Sequence, residues 1–305
     1  MTESMAPDVL DTAPPEERKV SNFQHLREAI SDVFGYRGLL YQLALRDIKV
    51  RYKQAAMGFG WAIFLPAVIV LAGLVVRFAM AMLSGTELET RSIAWMAVKA
   101  VPWAFFMGAI NFSVASLTGN LTLVTKVYFP REVLPLSAVL AQSWDSMIGT
   151  LAVFAVLPFM GVWPNFQWLW LLALVPLLII FTAGVALFLS CANLFFRDVK
   201  YIVQVLLTFG IFFTPVFFEP AMFGEFGGRL MMLNPIAPLL EGFRLAIVEG
   251  HNLAFPLMET VAGSEATLLA WSPWYLAYSG LWAVGGLVVA TVMFHRLAFM
   301  FAEYA

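Results

Sequence analysis

Residues 57–83 read MGFGWAIFLPAVIVLAGLVVRFAMAML, a run whose single charge is Arg77. An α-helix needs about 20 apolar residues to cross a hydrocarbon core about 30 Å thick, and this run exceeds that. Further apolar stretches follow at 94–118, 134–159, 167–192, 201–218 and 272–294. The chain of 305 residues is 61% hydrophobic and 12% charged, with a mean hydropathy of +0.82. A soluble domain has about 45–50% apolar and about 25% charged residues. The surplus apolar surface requires an apolar solvent. The pattern predicts an all-α polytopic membrane protein with about six transmembrane helices. Its length leaves no room for a second soluble domain.

The flanks of the first run organise the rest. Met1 to Val20 is polar and carries acids, so it is not a signal peptide. Residues 1–35 read as a disordered cytoplasmic arm, with Pro14-Pro15-Glu16-Glu17 at its centre. Residues 36–56 read as an amphipathic interface helix. At 100° per residue Leu39, Leu43 and Val50 share one face, and Arg46, Lys49 and Lys53 another. Such a helix lies in the membrane surface with its cations toward lipid phosphates. It either anchors the chain only or also touches a soluble partner. The six-span domain then occupies 57–305.

Lys and Arg concentrate before the first run and in the even connections, at Lys126, Arg131, Arg197 and Lys200. The positive-inside rule therefore puts both termini in the cytoplasm. The opposite side holds many acids, among them Glu87, Glu89, Glu219, Glu249 and Glu265. Residues 219–271 are too long for a plain loop. Leu230 to Pro235 and Pro238 to Leu245 are apolar but too short to span, which predicts interfacial or re-entrant helices. Glu241 and Arg244, three apart, can pair on one of them. No internal repeat is visible.

Catalytic chemistry finds no foothold. No G-x-x-x-x-G-K-[ST] phosphate loop is present. His25, His251 and His295 are far apart and lack metal-ligand spacing. The lone Cys191 excludes an internal disulfide and reads as a buried small hydrophobe. The reading is a conduit without its own cofactor or metal, and nothing points to nucleic acid.

Ionisable residues within spans are functional suspects by default. Arg77 and Lys99 fall near the outer ends of the first two spans. Trp95, Lys99 and Trp103, four apart, stack on one face. Both cations either snorkel toward outer headgroups with aromatic support or meet an anionic group of a passing substrate. Asp145 lies near mid-depth in the third span. It is either a polar contact between helices or part of a relay, and a relay would need a second acid at that depth. Arg77 is about 15 Å away in depth at the helical rise, too far to pair with it. Two stripes are candidates for lining a path: Tyr201, Gln204, Thr208, Phe212 and Pro215 on the fifth span, and Asn111, Ala115, Thr118 and Thr122 on the second. The alternative is close helix packing.

Arg46-Asp47-Ile48-Lys49-Val50-Arg51-Tyr52-Lys53 and Met57-Gly58-Phe59-Gly60-Trp61 resemble the start of the permease subunits of polysaccharide-exporting ABC transporters, which move O-antigen, capsule or teichoic-acid chains. Lys126-Val127-Tyr128-Phe129-Pro130-Arg131-Glu132 resembles the segment between spans two and three of that family. Phe196-Arg197-Asp198-Val199, Thr214-Pro215-Val216, Leu233-Asn234-Pro235 and Glu241-Gly242-Phe243-Arg244 agree in order across about 40–245. Asp145 matches a position where the family often has an acid.

The resemblance implies a bacterial inner-membrane homodimer around a central channel. Two copies of an ATP-binding subunit, carrying ATP and Mg, dock below it. Lys126 to Glu132 would include or adjoin the coupling helix that receives their motion. Residues 219–250, with Asn234, Pro235, Glu241 and Arg244, would form an outer gate. The substrate would be a long glycan on a polyprenyl diphosphate, which Arg46, Lys49, Arg51 and Lys53 would attract. Leu88 to Ala100 is more charged than the family pattern, Lys99 above all. The rivals are an ABC permease for a drug or small lipid, an ion- or proton-coupled transporter that needs Asp145, and a membrane-embedded transferase that would need an acid or histidine cluster.

Overall fold

Two helices precede the first span, α1 (Asn22–Gly35) and α2 (Arg37–Tyr52), in the computed structural model, which describes residues 22–53, 55, 57–84, 90–260 and 267–301. Helix α1 corrects the expected disordered arm over 22–35. Its small Ala29 is buried, and the helix packs on the last helix of the chain, so tertiary contact supplies what local propensity lacks. The rest of the arm, residues 1–21, lies outside the described residues. Helix α2 is present, but its expected apolar stripe splits. Leu43 and Ala44 are buried while Val50 is exposed.

The spans follow as α3 (Gly60–Ser84) and α4 (Thr90–Val114). A short α5 (Leu121–Lys126) leads to α6 (Val133–Val156) and α7 (Leu171–Phe195). Then come α8 (Val199–Gly210), α9 (Gly224–Met232) and α10 (Ala237–Arg244), with a π-turn over Leu245–Glu249. An antiparallel hairpin pairs β1 (Leu257–Thr260) with β2 (Thr267–Trp271), and α11 (Pro273–Leu297) closes the fold.

Among the described residues five helices are long and apolar enough to cross a membrane: α3, α4, α6, α7 and α11 with their short extensions. The apolar run expected as a helical span over 201–218 is helical only from Val199 to Phe213. Pro215 disfavours helical backbone at the residue before it, and Thr214 is extended (φ −122°, ψ 150°). The apolar run continues as the non-helical stretch Thr214 to Glu219, buried at Thr214, Val216 and Phe217. Non-helical backbone at membrane depth is tolerated only where protein satisfies it.

Helix α4 is the hub. It packs against α3, α6, α7, α8 and α10, and Ala100, Ala109 and Ile110 have no exposure. Helices α7 and α11 approach closely at Gly184, where a Cβ would lie 2.8 Å from the Leu287 backbone nitrogen. Small residues allow such approach between membrane helices. Opposite ends of α4 define the ends of the bundle. Its N-terminal end meets α10 and the π-turn (the re-entrant end), and its C-terminal end leads into α5 (the α5 end).

Candidate functional site

At the α5 end, the segment Lys126 to Glu132 divides into a tip and an anchor. Lys126 closes α5, and Val127 is extended (φ −121°, ψ 133°), which breaks the helix and turns the chain outward. Val127 is exposed, and Tyr128 is 97% exposed. Phe129, one residue on, is 8% exposed and packs in a cluster with Leu43, Val124, Val133 and Phe294. The Arg131 guanidinium donates to the Ala298 carbonyl and lies 5.7 Å above the Phe301 ring. The Glu132 carboxylate is buried 3.2 Å from His295 Nδ1. Four of these partners, Phe294, His295, Ala298 and Phe301, come from the far end of the sequence. An exposed aromatic tip on a rigid buried base is what a docking element requires.

Beside it, α2 is fastened to α6. Arg51 forms an ion pair with Asp145 and donates to Gln142 Oε1 at 2.9 Å. Its guanidinium sits 3.9 Å from the centre of the Phe112 ring. Tyr52 donates to Asp145 Oδ1 at 2.6 Å. Burial, then the Asp145 hydrogen bond and charge, push the Tyr52 hydroxyl above the usual phenol range. Gly108 makes room for this arrangement, since a Cβ there would be 2.7 Å from the Gln142 side chain. The structure thereby corrects the lipid-facing assignment of Arg51, which turns onto protein because Asp145 would otherwise be a buried unpaired charge. Arg46 is also engaged, with Asp47 at 2.8 Å and Asn120 at 3.2 Å. Lys49 and Lys53 alone of the four remain exposed.

Tyr201, Gln204, Thr208 and Phe212 form an exposed face along α8, while Val203 and Leu207 are buried on the opposite one. Pro215 is buried and leaves this stripe. The expected partner stripe on α4 does not stay together. Asn111 opens into a cavity of about 300 Å³ shared with Arg46, Arg51 and Phe112. Thr118 opens into a second cavity, of about 340 Å³, beside α8.

The re-entrant end is closed by a network of charges. Lys99 is 1% exposed, so it neither snorkels nor faces a passing substrate. It donates to the Phe218 carbonyl at 3.0 Å and lies 3.6 Å from Glu241. The cause is the non-helical stretch before Glu219, whose carbonyls have no helical donor. Arg244 is 2% exposed, 2.6 Å from Glu241, 3.5 Å from Glu219 and 3.7 Å from Glu249. Glu249 also accepts from Trp95 Nε1 at 3.0 Å and from Arg91 at 2.9 Å. Arg77 donates to Ser92 at 2.8 Å, and the Trp95 ring lies between Arg77 and Arg244, at 5.4 and 5.5 Å. Asn234 caps its own turn through the Ile236 amide at 3.4 Å. The Pro235 carbonyl accepts from Ser279 of α11 at 2.7 Å. Glu219 and Glu249 were missed from sequence. Their only signal was that acids outnumber cations there.

The comparisons with known proteins agree with this layout. The O-antigen export system permease protein RfbA of Myxococcus xanthus is 30% identical over 249 residues, 79% of this chain and 92% of that protein. A protein of the same name from Klebsiella pneumoniae is 27% identical over 213 residues, 70% of this chain and 81% of that protein. The sequence pattern of the family described as ABC-2 type transporter matches residues 38–248, which run from α2 through α10 and include every long helix but α11. This chain belongs to the ABC-2 type transporter family, as a membrane-spanning permease.

Proposed function

We propose that this chain is the channel subunit of an ATP-driven exporter that carries a lipid-linked polysaccharide across the bacterial inner membrane. It works as a homodimer with two copies of an ATP-binding subunit, which bring the ATP and Mg. Both termini and the α5 end face the cytoplasm. The observation that carries the ATP-driven reading is the exposed Lys126-Val127-Tyr128 tip on its buried base. A lever must project into its driver and must not yield at its root, and both conditions hold. The kinship with O-antigen export permeases over 79% of the chain carries the substrate class. The exposed Tyr201, Gln204, Thr208 and Phe212 face suits a glycan, since sugar rings stack on aromatics and hydrogen-bond to amides and hydroxyls. The re-entrant segment, tied down by Lys99, Glu241 and Arg244, serves as the outer gate.

Against a proton-coupled transporter stands Asp145, which is held by Arg51 and Tyr52 rather than open to a relay. Affinity purification of the tagged chain from native membranes in mild detergent tests the proposal. A soluble subunit with a phosphate-loop motif should follow it near one to one, and Tyr128→Ala should recover clearly less of that subunit. Recovery of the chain alone, under conditions where assembled transporters survive, overturns it.

A further inference from the structure

The cavity of about 340 Å³ beside α8 is lined by Thr118, Gly119, Asn193, Arg197 and Lys200, among others. We propose that it is an anion pocket for the phosphate or diphosphate headgroup of a membrane lipid, the point where the cargo lipid is first held. The inference rests on the export reading above and names the binding site for that substrate.

The pocket's charge is one-sided. No acid lines it, and among the described residues neither Arg197 nor Lys200 takes part in an ion pair, in contrast to Arg46, Arg51, Lys99 and Arg244. Asp198 lies between them in sequence but does not line the cavity. Its walls are fixed. Asn193 is buried, donates to the Val114 carbonyl at 2.9 Å and accepts from the Lys200 amide at 3.1 Å. That contact sets the start of α8 against the end of α4. The first amides of α8 are already taken by Phe196, Asn193 and Asp198, and the Thr118 hydroxyl donates to the Ala115 carbonyl at 3.2 Å, so an anion would be held by the two cationic side chains. Arg offers a fork matched to phosphate oxygens, and Lys adds a point charge. The volume lies within the range of small-molecule sites, about 300–1,000 Å³.

The surroundings decide between a lipid and a free anion. Phe196 and Ile202 are exposed on either side of the cations, apolar surface that suits the tail of a lipid and not a soluble phosphate. The Lys200 ammonium sits 4.7 Å over the Tyr201 ring, and Tyr201 is the first residue of the exposed stripe that continues through Gln204 and Thr208 to Phe212. A headgroup held here places whatever is attached to it at the foot of that stripe. Gly119 and Leu121 put the same pocket against the base of α5, so its occupancy sits next to the docking tip. The four cations of α2 are displaced as the headgroup site, because two of them are spent on protein.

The test uses the permease assembled with its ATP-binding subunit in nanodiscs, with undecaprenyl diphosphate as the probe and retention read by native mass spectrometry. Arg197→Gln/Lys200→Gln should weaken retention by roughly a hundredfold, as expected for two lost charge-assisted contacts. Lys49→Gln/Lys53→Gln should change it less than about twofold, and Arg197→Lys/Lys200→Arg should keep most of it. Unchanged retention in the Gln double variant, with the wild type binding, overturns the pocket and leaves the export reading intact. No retention by the wild type overturns both. Inorganic pyrophosphate bound as tightly as the lipid would overturn the lipid source.

Discussion

At the re-entrant end Lys99, Glu241, Arg244, Glu219 and Glu249 meet one another almost out of solvent, with exposures of 1%, 1%, 2%, 13% and 24%. At the α5 end Lys126, Arg197 and Lys200 stand exposed and without an ion pair among the described residues. Both ends are rich in ionisable residues, yet they use them for opposite purposes. Charges neutralised inside the fold hold the non-helical stretch before Glu219 in place, because each buried ion needs its partner. Charges left open raise the local potential and serve something outside the chain. Sign and count alone do not separate the two roles. Burial does.

The largest effect is expected where the internal network is broken on one side only. Glu241→Ala leaves Lys99 and Arg244 buried with one acid fewer. Losing one partner of a buried pair costs about 3–5 kcal/mol. Thermal unfolding in detergent should show the loss, and Lys99→Met in the same chain should recover part of it, since one of the two stranded cations is gone. An unchanged midpoint for Glu241→Ala would mean that the re-entrant end is open to water, and the contrast between the ends would collapse.

How far these roles were legible in the sequence follows from the range of the contacts. The Glu241 to Arg244 pair lies within one helical turn and could be read from spacing. Tyr128 stood out as an aromatic in a basic connection. Lys99 finds its partners at Phe218 and Glu241, and Arg51 finds Asp145, all across distant sequence that no periodicity connects. Pro215 was read as part of the stripe on a helical span, because the apolar run continues through Phe218 and hydropathy cannot distinguish a helical segment from an extended one that is buried in protein. Helix α1 was hidden because its own sequence is polar, and its packing is against α11 and α2, far and near in sequence.

The contrast can be sharpened inside the α5 segment, where neighbouring aromatics have opposite fates. Phe129→Ala removes a buried ring and should destabilise the chain by about 3 kcal/mol. Tyr128→Ala touches almost nothing within the chain, so its melting midpoint should stay that of the wild type. Its cost should instead fall on assembly, about 1–2 kcal/mol in binding the ATP-binding subunit, or roughly tenfold in Kd. Titration of the purified subunit onto nanodisc-held permease would measure it. A Tyr128→Ala chain that unfolds early but assembles normally would make the tip a structural element and remove the lever.

The smallest effect is expected at the re-entrant end itself, on its outer helix. Arg229 and Glu225 pair four residues apart on α9, but both are more than half exposed, at 63% and 59%. Solvent-exposed pairs of this kind contribute about 0.3–0.5 kcal/mol, so Arg229→Ala should shift the unfolding midpoint barely beyond error. It shares the segment with Arg244, and both pair with an acid within about one helical turn, yet Arg229 differs in access to water. A loss several times larger, seen only in the dimeric permease and not in the monomer, would show that a second copy covers α9. Arg229 would then belong with the charges spent internally, and the division between the two ends would be set by the dimer and not by the single chain.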